Sequence, residues 1–199
     1  IGTAFADHAG VNDPVIDISV TPNRQDCMGV RGIARDLAAA GLGTLKPLLP
    51  RDGADAAYAP LADALAALAD EAAMPPCAVP VAIDDAAGCP AFWGRTISGV
   101  TNGSAPQWMQ RRLAAVGQRS ISALVDITNF VMLDLGRPSH AYDCAQLTGT
   151  VTARRAHDGE NVTALNGKDY ALSSSMTVIA DDAGVHDIAG IMGGEHSGC

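Results

Sequence analysis

Arginine side chains are concentrated in one part of an otherwise acidic chain. The 199 residues carry 13 lysines and arginines against 22 aspartates and glutamates, a net charge of −9. Between Pro90 and His157 the balance reverses, with seven arginines against three aspartates. The planar guanidinium group binds phosphate through paired hydrogen bonds, so this window could face a nucleic acid. Charge alone favours the simpler interpretation, a solvated surface with ordinary ion pairs.

Familiar catalytic and nucleotide-binding motifs are missing from the sequence. It contains no G-x-x-x-x-G-K-[ST] phosphate loop, no G-x-S-x-G nucleophile elbow and no H-E-x-x-H zinc helix. His196 has no second histidine at helical spacing. The adjacent pairs Asp84-Asp85 and Asp181-Asp182 would point their side chains apart in a helix or a strand. We therefore predict no metal site.

Composition limits the classes of protein that remain possible. Hydrophobic residues make up 48% of the chain and aromatic residues 4%, so the core is expected to consist of small aliphatic side chains. No apolar run approaches the ~20 residues of a membrane-spanning helix. Five scattered cysteines without C-x-x-C spacing suggest reduced, mostly buried thiols in a cytoplasmic protein. The first residues, Ile1-Gly2-Thr3-Ala4, lack an initiator methionine, which suggests a fragment.

Local patterns predict helices in the first two thirds of the chain. Val15–Val20 alternates like a strand, and a helix should follow over Cys27–Ala40, with Asp26 as its N-cap and Gly41 beyond its end. A second helix is predicted over Pro60–Ala73, before a proline-rich linker.

The next segment reads as a strand followed by two helices. Phe92–Val100 is strand-like, and Ser104 is a good N-cap for a helix that stops at Gly117. A further helix should occupy Ser122–Leu135 and end at Gly136.

After Gly149 the chain predicts a meander of short strands. The dipeptide Asn166-Gly167 is a strong hairpin signal between two of them. The sum is an α+β fold, divided into residues 1–50, a helix and linker over 51–80, and a core domain over 81–199. The predicted strands are Val151–Arg155, Val162–Leu165, Tyr170–Leu172, Met176–Ala180 and His186–Ala189.

Three longer segments carry a specific resemblance. Asp17–Ala38 reads DISVTPNRQDCMGVRGIARDLA, Val125–Asp143 reads VDITNFVMLDLGRPSHAYD, and Ile188–Gly194 reads IAGIMGG. In order and spacing they resemble the bacterial phenylalanyl-tRNA synthetase β-chain family, around its editing domain. The resemblance implies helices packed on a mixed, sandwich-like β core. It also implies a small N-terminal strand-helix module that flanks an OB-fold insert in the family.

In that family the whole enzyme is an α2β2 ligase that charges tRNA(Phe) with phenylalanine, using ATP and magnesium. The editing domain hydrolyses tyrosine wrongly attached to the same tRNA. The resemblance therefore implies tRNA(Phe) and an α subunit as partners. ATP and Mg²⁺ belong to the parent complex, and we expect no cofactor in this fragment.

The resemblance also implies site residues. His140 and Asn129 match positions that line the editing pocket, and we assign both a catalytic role. Ala189 and Gly190 match its backbone wall. Two further substrate-binding candidates follow by adjacency: Thr128 and Pro138.

The added hydroxyl group is what distinguishes tyrosine from phenylalanine. A hydrophobic pocket rejects an added hydroxyl group by only ~100-fold, so a second site is needed to remove tyrosine. A buried polar partner for the hydroxyl would be left unpaired by phenylalanine, at a cost of ~1–3 kcal/mol. In the family that partner is a carboxylate in a Leu-Glu-x-Ala segment downstream of the glycine-rich turn. The chain stops at Cys199 before such a segment, and Glu195 is not the matching position.

Two alternatives to an editing deacylase stay open. The chain could be a non-catalytic tRNA-docking or scaffold module, or a freestanding trans-editing protein. The segment Asp17–Ala38 argues against the freestanding form, because it resembles the flanking module of a longer chain. The docking hypothesis rests on the basic window, with these tRNA-contact candidates: Arg111, Arg112 and Arg119.

Overall fold

The computed structural model describes residues 2–9, 12, 14–48 and 77–199. The helix predicted over Pro60–Ala73 lies outside the described residues, as does part of the linker predicted after it. No helix within the described ranges combines the length and apolar composition that a membrane span requires.

Helices in the described ranges pack mainly on one another. α4 lies in the middle, since both α2 and α3 pack against it. The start of α2 and the end of α4 approach so closely that a side chain on Gly29 would overlap the backbone of Gly136. The elements are α1 (Phe5–Ala9), α2 (Val30–Ala39), α3 (Gln107–Ala115) and α4 (Ala123–Leu135), with 3-10 turns at Gln25–Cys27 and Cys144–Gln146.

The strand predicted over Val15–Val20 is wrong. Residues 14–20 form no regular element, and Val15, Ile16 and Ile18 are 58%, 76% and 45% exposed. An alternating apolar pattern becomes a strand only beside a neighbour that completes its backbone hydrogen bonds, and no described strand lies there. The N-terminal module is therefore helical in its described part.

α2 begins later than predicted. Its N-cap is Gly29, whereas Asp26 binds the guanidinium groups of Arg24 and Arg35. The carboxylate therefore neutralises charge instead of capping the helix. The predicted end is confirmed, because Ala40 is the C-cap and Gly41 follows with a φ of +76°.

The α3–α4 pair confirms one predicted cap and corrects another. α3 starts after Pro106, which has no side-chain cap, so Ser104 is not the N-cap. The Ser122 side chain accepts a hydrogen bond from the Val125 N–H, and Gly136 ends α4 at a φ of +68°. The two helices enclose an apolar cluster: Ala105, Met109 and Leu113, with Phe130 and Leu133 against it.

The strands form one five-stranded mixed sheet and one two-stranded sheet. The larger sheet has the order β1-β2-β5-β6-β7; β1 and β2 are parallel, and the other neighbours are antiparallel. β3 and β4 form the smaller sheet, which contacts β6. The strands are β1 (Val81–Ile83), β2 (Val151–Arg155), β3 (Asn161–Thr163), β4 (Asp169–Ala171), β5 (Thr177–Ala180), β6 (Val185–Ile188) and β7 (Met192–Gly193).

The C-terminal strand predictions are confirmed to within one or two residues, and β2 has the predicted bounds. The hairpin at Asn166-Gly167 is also confirmed, with Gly167 at a φ of +72°. The strand predicted over Phe92–Val100 is wrong. That segment is held by side chains instead: Thr96 accepts a hydrogen bond from the Ala78 N–H at 3.1 Å, and Phe92 packs on the sheet.

Apolar side chains cover both faces of the larger sheet. Alternation along β5 sends Val178 and Ala180 to the face that the β3–β4 sheet covers, and Ile179 to the opposite face. The face that the β3–β4 sheet covers is the sandwich-like part of the core. In the described elements the helices contact each other and not the strands, so the predicted packing of helices on the sheet is corrected. The α+β class with a mixed sheet is confirmed.

Candidate functional site

His140 lies in the loop between α4 and the sheet. Its imidazole is 28% exposed, and its Nε2 atom is 3.8 Å from Oδ1 of Asp187. The ring packs edge-on against Tyr142, with the centroids 4.6 Å apart. The 3.8 Å distance is longer than a hydrogen bond, and the two groups form an ion pair only when the imidazole is protonated. His140 therefore presents one side to solvent and another to a buried negative charge.

Asp187 is the buried centre of this arrangement. It lies on β6, and its two oxygens have separate partners. The Tyr142 hydroxyl donates to Oδ2, and the Gly194 N–H donates to Oδ1 at 2.9 Å. Since a buried carboxylate is costly without such partners, these bonds explain how the strand tolerates the charge.

Tyr142 remains a hydrogen-bond donor over the whole pH range in which the protein works. Burial of the phenol raises the pKa of Tyr142 far above its usual value, and the adjacent Asp187 carboxylate raises it further. The hydroxyl therefore keeps its proton and donates a hydrogen bond to Asp187. The backbone of Tyr142 also forms a bridge to Gly198, which fixes the loop against the C-terminal segment.

Two glycines let β7 approach this centre. A side chain on Gly193 would come within 2.8 Å of Cε1 of His140 and 2.9 Å of Cδ1 of Leu165. A side chain on Gly194 would overlap the carbonyl oxygen of His186, which cannot move aside. The absence of a Cβ at Gly194 is therefore a requirement of the packing, whereas a Cβ at Gly193 would push the His140 and Leu165 side chains aside.

Ala189 and Gly190 form the turn between β6 and β7. The Ala189 N–H donates to the Thr177 carbonyl at 3.0 Å, and the Ile191 N–H closes the turn on Ile188 at 3.0 Å. Gly190 has a φ of +70°, and an added Cβ there would meet nothing within 4 Å. The residue is needed for its backbone conformation, and it leaves open space above the turn.

A second buried pair lies next to this centre. His186 is 2% exposed, and its Nε2 atom is 2.9 Å from Oδ2 of Asp181. The distance suits a hydrogen bond, but neither ring nitrogen is aligned with an acceptor, so we describe the contact as electrostatic. Burial raises the pKa of Asp181, yet bonds from the N–H groups of Thr148, Ala183 and Gly184 outweigh it and hold that pKa below its usual value.

Asn129 and Thr128 lie on α4, away from the sheet. The Thr128 hydroxyl donates to the Val125 carbonyl at 2.8 Å, a bond within its own helix. Among the described residues, no hydrogen bond or ion pair connects Asn129 with His140. The structure thus brings His140 to the glycine-rich turn without joining it to Asn129. Pro138 is exposed in the loop that leads to His140.

Two of the arginine candidates, Arg111 and Arg112, lie on α3, and Arg119 lies in the loop that follows it. Arg111 and Arg119 line one surface cavity of about 380 Å³. Arg112 points elsewhere and lies over the Trp108 ring, 5.8 Å from its centroid. Of the three predicted contacts, the structure brings two together.

Another cluster could attract a metal ion by residue type. Ligand atoms of Asp26, Cys27 and Asp36 lie within 4.8 Å of one another. Arg24 already fills this space, since its guanidinium contacts both carboxylates and lies 2.8 Å from the Cys27 sulfur. Burial and the adjacent Asp36 raise the pKa of the Cys27 thiol, which disfavours the thiolate that metals bind. The cluster is an ion-pair network.

Sequence reasoning missed Asp187 and Tyr142. One signal for Tyr142 was available: it follows His140 by two residues, a spacing that puts side chains on one side of an extended segment. Asp187 could be suspected only as a charge within an apolar strand. Its partner lies 45 residues earlier in the chain, which no local pattern reveals.

Comparison with known proteins adds two findings. The model of the B3/4 domain family matches residues 88–199, more than half of the chain. The whole chain is 60% identical to part of a protein named phenylalanine–tRNA ligase beta subunit from Novosphingobium aromaticivorans, of which it covers 23%.

Proteins of the same name give similar matches. The Zymomonas mobilis protein is 53% identical over 98% of the chain and 22% of its own length. The Brucella melitensis protein is 52% identical over 100% of the chain and 23% of its own length. The chain therefore spans less than a quarter of these curated relatives.

Proposed function

The chain belongs to the B3/4 domain family, and from that premise we propose that it is the editing region of a phenylalanine–tRNA ligase β subunit. In this proposal it hydrolyses tyrosine attached to tRNA(Phe). The named relatives support it, since their similarity extends over the whole chain. The longer ligase would pair with an α subunit in the cytoplasm and use ATP and Mg²⁺. We expect this chain to bind neither.

One observation carries the proposal: a partly exposed imidazole lies against a glycine-rich turn with a buried carboxylate behind it. The unprotonated His140 ring can accept a proton from water as the water oxygen attacks the ester carbonyl carbon. The bond from that carbon to the ribose oxygen then breaks, and the proton passes to the ribose oxygen. Proton transfer of this kind contributes roughly 10²–10⁴-fold to a rate.

Asp187 and Tyr142 act through His140 as positioning residues. The Tyr142 hydroxyl satisfies one carboxylate oxygen, and the other faces both His140 and the Gly194 N–H. The carboxylate lies beside the imidazole and holds its orientation. The same carboxylate fixes β7, so one buried group aligns the histidine and the glycine wall.

The remaining predicted site residues stay proposals. Gly190 borders the open space beside the turn and suits a wall against the substrate, while Ala189 packs on the sheet and supports that turn. Asn129, Thr128 and Pro138 lie on or after α4, and they would contact a substrate that extends from the turn toward that helix. The division into residues 1–50, 51–80 and 81–199 also remains a prediction.

The test is hydrolysis of preformed Tyr-tRNA(Phe) by the complete ligase. We expect His140→Ala to slow release of tyrosine by about 100-fold or more. The matched control is His157→Ala, because the His157 side chain is 75% exposed and lies beside Glu160, away from the turn. Unchanged hydrolysis in the His140 variant would remove that residue from the mechanism.

A tRNA-docking scaffold without catalysis is the second candidate. The shared cavity of Arg111 and Arg119 favours it over a freestanding deacylase. Hydrolysis separates the two candidates, since a scaffold would bind Tyr-tRNA(Phe) and release no tyrosine. A wild-type ligase that retains tRNA binding but does not deacylate would support the scaffold.

A further inference from the structure

The α3 cavity is built from side chains that donate hydrogen bonds. One wall follows helical spacing along α3, with Gln107, Arg111 and Ala114 on the same face. The chain then reverses at Gly117, which has a φ of +80°, and returns Arg119 to that face. Two guanidinium groups from separate elements therefore border one space. Gln110, Gln118 and Ser120 complete the lining.

In the part of the chain that the structure describes, no carboxylate opposes these cations. The cavity lining includes no acidic residue, and within the described ranges neither Arg111 nor Arg119 forms an ion pair. The nearby Asp126 is fully buried, where it accepts hydrogen bonds from the Ser120 hydroxyl and from the Ile121 N–H. Two arginines without an ion-pair partner among the described residues, in a chain of net charge −9, leave room for an external anion.

An exposed aromatic ring lies on the same helix. Trp108 is 51% exposed and is held edge-on against Phe130, with the centroids 5.3 Å apart. Arg112 lies over the ring. Nucleic-acid bases stack on aromatic rings and on guanidinium planes, whereas a carboxylate binds the edge of a guanidinium group and does not stack on an aromatic ring.

We propose that the α3 cavity binds an RNA backbone, with Arg111 and Arg119 on phosphate oxygens and the Trp108–Arg112 pair beneath a neighbouring base. Forked guanidinium groups match phosphate geometry, and the Gln107 and Gln118 amides can donate to phosphate or ribose oxygens, whereas the Gln110 amide donates to the Ala105 carbonyl at 2.6 Å. The proposal rests on the proposed function, since RNA is the substrate there. It assigns tRNA affinity to α3 and hydrolysis to the His140 loop.

The test is binding of fluorescently labelled tRNA(Phe) to the complete ligase across a salt series. We expect Arg111→Ala/Arg119→Ala to weaken binding about 10-fold and to lower the slope of log affinity against log salt by about 1.4, because each lost phosphate contact removes roughly 0.7. The control Arg31→Ala/Lys46→Ala removes the same charge from the N-terminal module and should change neither value.

Four outcomes decide the matter. Unchanged affinity and slope in the cavity variant would overturn the proposal. Displacement of the labelled RNA by poly-glutamate as readily as by oligouridylate would overturn the assignment to RNA. His140→Ala should bind tRNA normally, so loss of hydrolysis without loss of affinity separates the two proposals. A ligase that never hydrolyses Tyr-tRNA(Phe), yet depends on the arginines for binding, would contradict only the proposed function.

Discussion

The His140 loop and the α3 cavity use polar groups in opposite ways. In the first region a buried carboxylate is bonded to a half-buried phenol, and glycines admit a close strand. In the second region cations remain exposed on a helix whose inner face is apolar. The first region should therefore couple its chemistry to folding stability, because buried polar groups are costly when unpaired. The second should change binding without changing stability.

The largest expected effect of a single methyl group is at the turn beside His140. Gly194→Ala places a Cβ on the His186 carbonyl oxygen, and we expect a loss of about 3 kcal/mol or more in the free energy of unfolding. Gly190→Ala meets open space and should cost only about 1–2 kcal/mol for its left-handed backbone. Urea unfolding of both variants measures the difference, and equal losses would contradict the packing described for β7.

A smaller effect is expected from the Tyr142 hydroxyl. Tyr142→Phe leaves Oδ2 of buried Asp187 without a donor, at a cost of about 1–3 kcal/mol. Tyr170→Phe is the matched control, because its hydroxyl accepts a bond from Asn166 at the surface and should matter by less than about 0.5 kcal/mol. If the two variants unfold at the same urea concentration, the buried bond does not stabilise the site.

Lowering the pH tests how much the Arg154–Glu160 ion pair contributes to folding stability. Arg154 donates to both oxygens of Glu160 at 2.9 and 2.7 Å, and this pairing lowers the Glu160 pKa from 4.5 to about 2. Since the folded pKa is depressed, the contribution is present above about 4.5 and is lost as the pH falls toward about 2. With partial exposure allowed for, we expect about 1–2 kcal/mol.

The measurement is the free energy of unfolding of wild type and Glu160→Gln as the pH is lowered. The wild type should be more stable near neutrality, and the two curves should converge in acid. Arg111→Ala should run parallel to the wild type throughout, because no carboxylate pairs with that arginine in the described ranges. A constant gap for Glu160→Gln would show that its effect is not electrostatic.

Features set by neighbouring residues could be predicted from the sequence. The Ser122 cap, the Gly136 stop and the Asn166-Gly167 hairpin depend on bonds that span only a few residues. The strand predicted over Val15–Val20 failed because a strand also needs a distant partner. Ser104 failed as a cap because the extended Pro106 set the start of α3 two residues further on.

The candidate site shows the same difference between features set by neighbouring residues and features that depend on distant ones. His140 and the Ala189-Gly190 turn could be chosen from the resemblance, yet nothing local indicated that Asp187 stands behind the histidine. The position of Asn129 was predicted on the right helix, but the packing of that helix on α2 and α3 is a long-range property. The resemblance thus points to proposed catalytic residues, whereas the residues that would align them become visible only in the structure.

The contrast between the His140 loop and the α3 cavity is tested most directly by steady-state hydrolysis of Tyr-tRNA(Phe). Three forms of the complete ligase are compared: the wild type and the two variants below. We predict that His140→Ala lowers kcat by about 100-fold or more with little change in KM. Arg111→Ala/Arg119→Ala should raise KM about 10-fold and leave kcat unchanged. A His140→Ala enzyme with wild-type kcat would contradict the central claim that the imidazole beside Asp187 hydrolyses the ester.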